Sequence, residues 1–131
     1  KSACGECLFI GDLPEKQAMT AFAAQAKTAL HCEGLRYTDK KEQVQTVAVS
    51  SGAGGSEIFA AAEEGADVLV TGEIKHHEIL AADSLGVNVL DAGHFKTEDV
   101  VLLPLAERLG QAFPDAAFIK SAVFDDGIKY L

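Results

Sequence analysis

Tryptophan is absent from this 131-residue chain, methionine occurs once, and aromatic residues make up only 7%. Cations are scarce as well: 11 Lys and Arg stand against 20 Asp and Glu, a formal net charge of −9. Such a chain lacks the basic surface that releases phosphate counterions and the aromatic platform that stacks bases, so nucleic acid is excluded as a partner. An anionic membrane surface repels it for the same electrostatic reason. No apolar run reaches the roughly 18 residues that a membrane span requires. The first residues lack the basic-then-apolar pattern of a secretory signal. Three cysteines, an odd number without an export signal, argue for a reducing compartment, and the cytoplasm is the expected location.

What is present is enough apolar material to fold. Apolar residues make up 48% of the chain, and the length fits one domain that buries about two-thirds of its unfolded surface. The charge is uneven: residues 1–44 sum to zero, and the whole −9 lies in residues 45–131. An acidic surface of that kind serves solubility first; the alternative reading is a cation site.

Cys4 and Cys7 form a CxxC pair. Three readings stay open for it: an incidental pair, half of a zinc site, and a redox pair. Zinc needs a second pair of ligands, for which the neighbours His31 and Cys32 lack the spacing, and redox chemistry needs a strand-to-helix setting.

Residues 15–31 carry Ala18, Phe22, Ala26 and Leu30 at helical spacing, so a helix starting beside Pro14 and ending at Gly34 is expected. Residues 1–14 receive no element. An edge strand is expected over 35–38 and a turn at 39–43. From residue 44 the pattern alternates, with strands at 44–50, 67–72 and 87–93 and helices at 57–66 and 75–86. Pro104 is tolerated only in a first turn, so the regular part of a third helix starts between Val100 and Leu103. A last strand is expected at 116–124. Strand-helix-strand repetition with short connections predicts an α/β fold, a layered sheet of mostly parallel strands with crossover helices.

In open α/β sheets ligands bind beyond the carboxyl ends of the strands. Three segments lie there. The first, 50–56, is a glycine turn that matches neither the dinucleotide nor the Walker pattern, leaving a tight turn or an anion contact. The second, 71–78, reads TGEIKHHE. Its adjacent His76 and His77 point about 100° apart on a helix and cannot grip one ion together. The third, 91–98, reads DAGHFKTE. His94 and Glu98 are both ligand types for a divalent transition ion, and their four-residue spacing lets them converge over one helical turn. Asp91, on the strand end, could hold the His94 ring or a bound water.

With TGEIKHHE and DAGHFKTE in this order, and IGDLPE at 10–15, the sequence resembles the GTP cyclohydrolase 1 type 2 homolog family, also called the NGG-interacting-factor-three-like proteins. The resemblance implies an α/β fold and a dinuclear centre of zinc, iron or similar divalent ions. His94 and Glu98 match the family's GH-x-x-x-E ligands, while Asp91 and His77 become pocket or orienting residues. The family's His-His-Pro motif is absent, since Glu78 follows His77. The chain is therefore expected to be the C-terminal half of a longer protein, folded as a single α/β domain over 1–131. The resemblance further implies ring-shaped homo-hexamers and metal-dependent hydrolysis of a nucleotide or related small molecule. The alternative is a non-enzymatic metal-binding or assembly module.

Overall fold

Short runs of Val, Leu and Thr that alternate between two faces build the centre of the molecule, seen in a computed structural model that describes residues 7–131. The elements are β1 (Phe9–Ala18), α1 (Met19–Ala29), β2 (Arg36–Tyr37), β3 (Gln43–Ser50), α2 (Ile58–Glu63), β4 (Val68–Thr71), α3 (His76–Leu85), β5 (Asn88–Asp91), α4 (His94–Asp99) and α5 (Leu102–Ala112). The sheet has five strands in the order β1-β3-β4-β5-β2. Strands β3, β4 and β5 are parallel, and both edges are antiparallel. This is the expected α/β sheet with a parallel centre.

Period-2 alternation sends Ala48, Leu69 and Val89 to one face and Val68, Val70 and Leu90 to the other, where Val44 also packs. The first face is covered by Ile58, Ala61 and Ala82 from α2 and α3. Met19, Phe22 and Ala23 of α1 cover the second. A sheet buried on both faces explains why β4 and β5 are buried at every position.

Two expectations are corrected. Residues 15–18 continue strand β1 instead of opening a helix, and α1 begins only at Met19. Pro14 is accommodated because β1 is an edge strand whose pairing with β3 is interrupted between Asp12 and Gln17, so its missing N–H breaks no ladder. The strand expected at 116–124 does not form; residues after α5 take an irregular path. Both sheet edges are already β1 and β2, and Ile119 and Val123 stand exposed without a sheet face to pack on. Pro104 does fall in the first turn of α5. No described helix is long and apolar enough to cross a membrane. Cys4 lies outside the described residues, and Cys7 is exposed.

At the amino ends of the parallel strands, Asp67 ties the sheet together. Its carboxylate accepts the Gln45 and Thr46 N–H groups at 2.9 and 3.0 Å and pairs with Lys41 Nζ at 2.8 Å. Burial pushes this carboxyl upward, but the Lys41 ammonium and the two N–H donors together outweigh it and hold the pKa below the usual aspartate value. A group with a depressed folded pKa contributes stability that is present above its unfolded pKa and lost as pH falls through the folded value. Thermal melts from about pH 5 down through the unfolded value of about 3.9 are expected to fall more steeply for the wild type than for Asp67→Asn. Parallel curves would contradict this role.

Candidate functional site

The carboxyl ends of β3, β4 and β5 deliver three loops to one end of the sheet, and their contacts are dense. Gly52, after β3, has φ +63 and so occupies the left-handed region that favours glycine. Its carbonyl accepts the Gly72 N–H at 2.9 Å and the Thr71 hydroxyl at 3.1 Å. The Gly52 N–H donates to Thr97 Oγ1, and the Gly54 N–H donates to Thr71 Oγ1, both at 3.0 Å. Of the two readings left open for this segment the structure shows a tight turn, with these two N–H groups bonded internally.

Helix α4 starts on this platform. Thr97 is buried and its hydroxyl reaches the carbonyls of Gly93 and His94 at 3.1 and 3.0 Å, which locks the first turn. That turn places His94 between two carboxylates. Nε2 lies 3.2 Å from Glu98 Oε1, and Nδ1 lies 3.3 Å from Glu73 Oε2. A neutral imidazole carries hydrogen on one nitrogen only. With Nδ1–H donating to Glu73, the lone pairs of Nε2 and Glu98 Oε1 face each other, an arrangement that a cation between them relieves. A Cβ on Gly52 would stand 2.6 Å from Glu98 Oε1 and 3.2 Å from His94 Nε2, so glycine there keeps the space beside both donors clear.

The donor set therefore fits part of a divalent-metal site. It does not fit a whole one: among the described residues no group of three or more His, Cys, Asp or Glu side chains converges.

Beside the donors a cleft of about 400 Å³ opens, bounded by Leu35, Arg36, Glu73, Asp91, His94, Ile128 and Tyr130. Asp91 is 9% exposed. It makes no hydrogen bond to the His94 ring among the described residues. Its Oδ2 accepts Arg36 Nε at 2.9 Å and forms an ion pair with Nη2 at 2.7 Å, and its Oδ1 accepts the Gly93 N–H at 3.1 Å. Glu73 orients the ring. His77, expected as a pocket residue, stands exposed on the first turn of α3 and outside this cleft. The turn is set by Glu78, whose carboxylate caps the Lys75 N–H at 2.7 Å.

Sequence reasoning singled out His94, Glu98 and Asp91, and missed Arg36, Thr97 and Tyr130. Glu73 sat visibly in the TGEIKHHE cluster, but nothing local tied it to a histidine 21 residues away. The irregular tail brings Tyr130 back so that its ring covers Gly34, where any Cβ would collide with it. Burial, first, and then the carboxylates of Asp126 and Asp91 push the Tyr130 phenol above its ordinary value.

A family model described as Duf34/NIF3 (NGG1p interacting factor 3) matches residues 4–126. A protein of Listeria innocua serovar 6a named "GTP cyclohydrolase 1 type 2 homolog" is 40% identical over 69 residues, 52% of this chain and 18% of that relative. Among solved structures, a Bacillus cereus protein related to NIF3 superposes with a TM-score of 0.87 at 30% identity, over 93% of this chain and 35% of that one. A Staphylococcus aureus protein superposes with a TM-score of 0.86 at 27% identity, over 95% of this chain and 42% of that one. The chain thus spans less than half the length of these relatives.

Proposed function

This chain belongs to the Duf34/NIF3 (NGG1p interacting factor 3) family, and on that premise we propose that its strand-end cleft is a divalent-metal site, with His94 and Glu98 as this chain's ligands. The observation that carries the reading is the 3.2 Å separation of His94 Nε2 and Glu98 Oε1. Two donors about 2.1 Å from one ion lie about 3.0 to 3.4 Å apart for bond angles between octahedral and tetrahedral. Glu73 on Nδ1 is the kind of partner that fixes the tautomer of a ligating histidine. Imidazole and carboxylate together suit zinc or iron.

Two ligands leave one ion short of the three or four it takes from protein. The remaining ligands, and the second ion of a dinuclear centre, belong to residues beyond this set. When bound, the metal would supply Lewis-acid polarisation and lower the pKa of a coordinated water, which is the chemistry of hydrolysis. His94 and Glu98 hold it, Glu73 keeps the ring turned, and Gly52 keeps the approach open. The whole protein is then a metal-dependent hydrolase of a small molecule. The name of the Listeria relative favours a nucleotide.

A second reading, a metal-binding module that works by assembly with copies of itself, draws on α5, which has no buried residue although it carries Leu102, Leu103 and Leu105. The readings part on turnover. A nucleotide panel hydrolysed by the metal-loaded whole protein, and not by its His94→Ala variant, favours the hydrolase; no turnover across the panel favours the module.

For the 131-residue chain itself, calorimetric titration with Zn²⁺ is expected to show weak binding, with a Kd above about 10 μM, lost by about tenfold or more in His94→Ala. Tight binding of one ion per chain, or affinity indifferent to His94, would sink the two-ligand assignment.

A further inference from the structure

Among the described residues that line the cleft, Arg36 is the only Lys or Arg. It sits on β2 directly opposite Asp91 of β5. Its Nε donates to Asp91 Oδ2, Nη2 lies in ion-pair contact with the same oxygen, and Nη2 donates to the Ile74 carbonyl at 3.0 Å. These contacts occupy one edge of the guanidinium and fix its plane. The two N–H donors of Nη1 have no partner among the described residues. The side chain is 66% exposed, so those donors are open to a ligand. Across the same cleft Leu35, Ile128 and Tyr130 supply apolar surface.

A guanidinium held in place by its own protein, with donors to spare beside an apolar wall, is suited to an oxyanion attached to a flat apolar body. The formal charge of Arg36 is balanced by Asp91, so the selection is directional, through Nη1, and does not rely on a net positive field. Glu73 in the cleft and Glu98 beside it would repel an anion elsewhere, which confines it to the Arg36 side. We infer that Arg36 is the specificity-determining residue of the cleft and selects ligands bearing a carboxylate or phosphate. The inference deepens the metal-site reading by naming the ligand class, and rests on it only in placing the ligand's reacting part beside His94.

The test is a titration of the whole chain with benzoate, phenyl phosphate and the neutral benzamide, followed by nuclear magnetic resonance, without metal and again with Zn²⁺. Shifts of the Arg36 side-chain and Tyr130 ring signals report the cleft. Wild type is expected to bind at least one anion with a Kd in the millimolar range or tighter, and about tenfold more tightly than benzamide. Arg36→Gln should lose about tenfold for the anions and little for benzamide. Arg36→Lys should lose less, because it keeps the charge but not the fork. It also serves as the deciding variant if Arg36→Gln melts early, since Asp91 then keeps a cationic partner. A preference for benzoate assigns a carboxylate, and the reverse assigns a phosphate.

The inference is overturned if benzamide binds as well as the anions, if both variants stay within about twofold of wild type, or if neither anion binds up to about 20 mM. Failure of the metal reading looks different. It appears as His94 ring signals that do not respond to Zn²⁺, while Arg36-dependent anion binding without metal supports the present inference on its own.

Discussion

Gly72→Ala is expected to destabilise the chain by about 1–3 kcal/mol and to weaken zinc binding as far as His94→Ala does. Gly72 comes directly after β4, and the start of α4 lies on it. A Cβ there would stand 2.8 Å from His94 Cα and 2.9 Å from the Gly93 carbonyl oxygen, and would collide with the Thr97 side chain. Two of these three neighbours are backbone, so no rotamer change relieves the contact. The first turn of α4 must move away from β4. That movement separates His94 from Glu73, the residue next to Gly72, and loosens the Thr97 bond to the Gly52 N–H. Denaturant unfolding and zinc calorimetry on the same variant check both parts. A variant with wild-type stability and zinc affinity would show that α4 is not seated on Gly72.

Leu69→Ala is expected to cost more, about 2–5 kcal/mol. Leu69 is fully buried in the central strand β4 and packs in a cluster with Ile58, Ala82 and Val89. Its neighbours Ala48 and Ala82 are small, and strands β3 and β5 bond β4 on both sides. The surroundings therefore have little means of closing the cavity. Against a total stability of roughly 5–15 kcal/mol for a domain, such a loss is a large fraction. The melting temperature should fall by roughly 10 °C. A fall of a degree or two would mean that the α2–α3 face is loosely packed. Unlike Gly72→Ala, this change leaves the His94–Glu98 pair untouched in the folded fraction, so zinc affinity per folded molecule should hold.

The central elements were legible because the signals that specify them are local. Strands β3, β4 and β5 coincide with the runs at 44–50, 67–72 and 87–93 to within two residues, and α2 and α3 fall within 57–66 and 75–86. The four-residue spacing of His94 and Glu98 likewise spans one turn of α4. The N-terminal helix went wrong for an instructive reason. Residues 15–18, Glu-Lys-Gln-Ala, are as favourable to a helix as the alanine-rich residues 19–29, but pairing with the edge of β3 outcompetes helix propensity there. The tail failed in the opposite sense. Residues 116–124 have the composition of a strand, yet a strand exists only where an edge accepts it, and composition carries no information about vacant edges.

The candidate site divides along the same line. By itself the sequence determined that a parallel-centred α/β sheet would form and that His94 and Glu98 would stand together at a strand end, since both depend on short-range patterns within single segments. The tertiary structure alone decided that Glu73 turns the His94 ring, that Asp91 serves Arg36, that His77 is left outside the cleft, and that Tyr130 returns to wall it. The Glu73–His94 and Arg36–Asp91 pairings join residues 21 and 55 positions apart. They depend on sheet order and register, which bring β2 beside β5 and β4 beside β5, and no periodicity within one segment encodes which segment will lie alongside it.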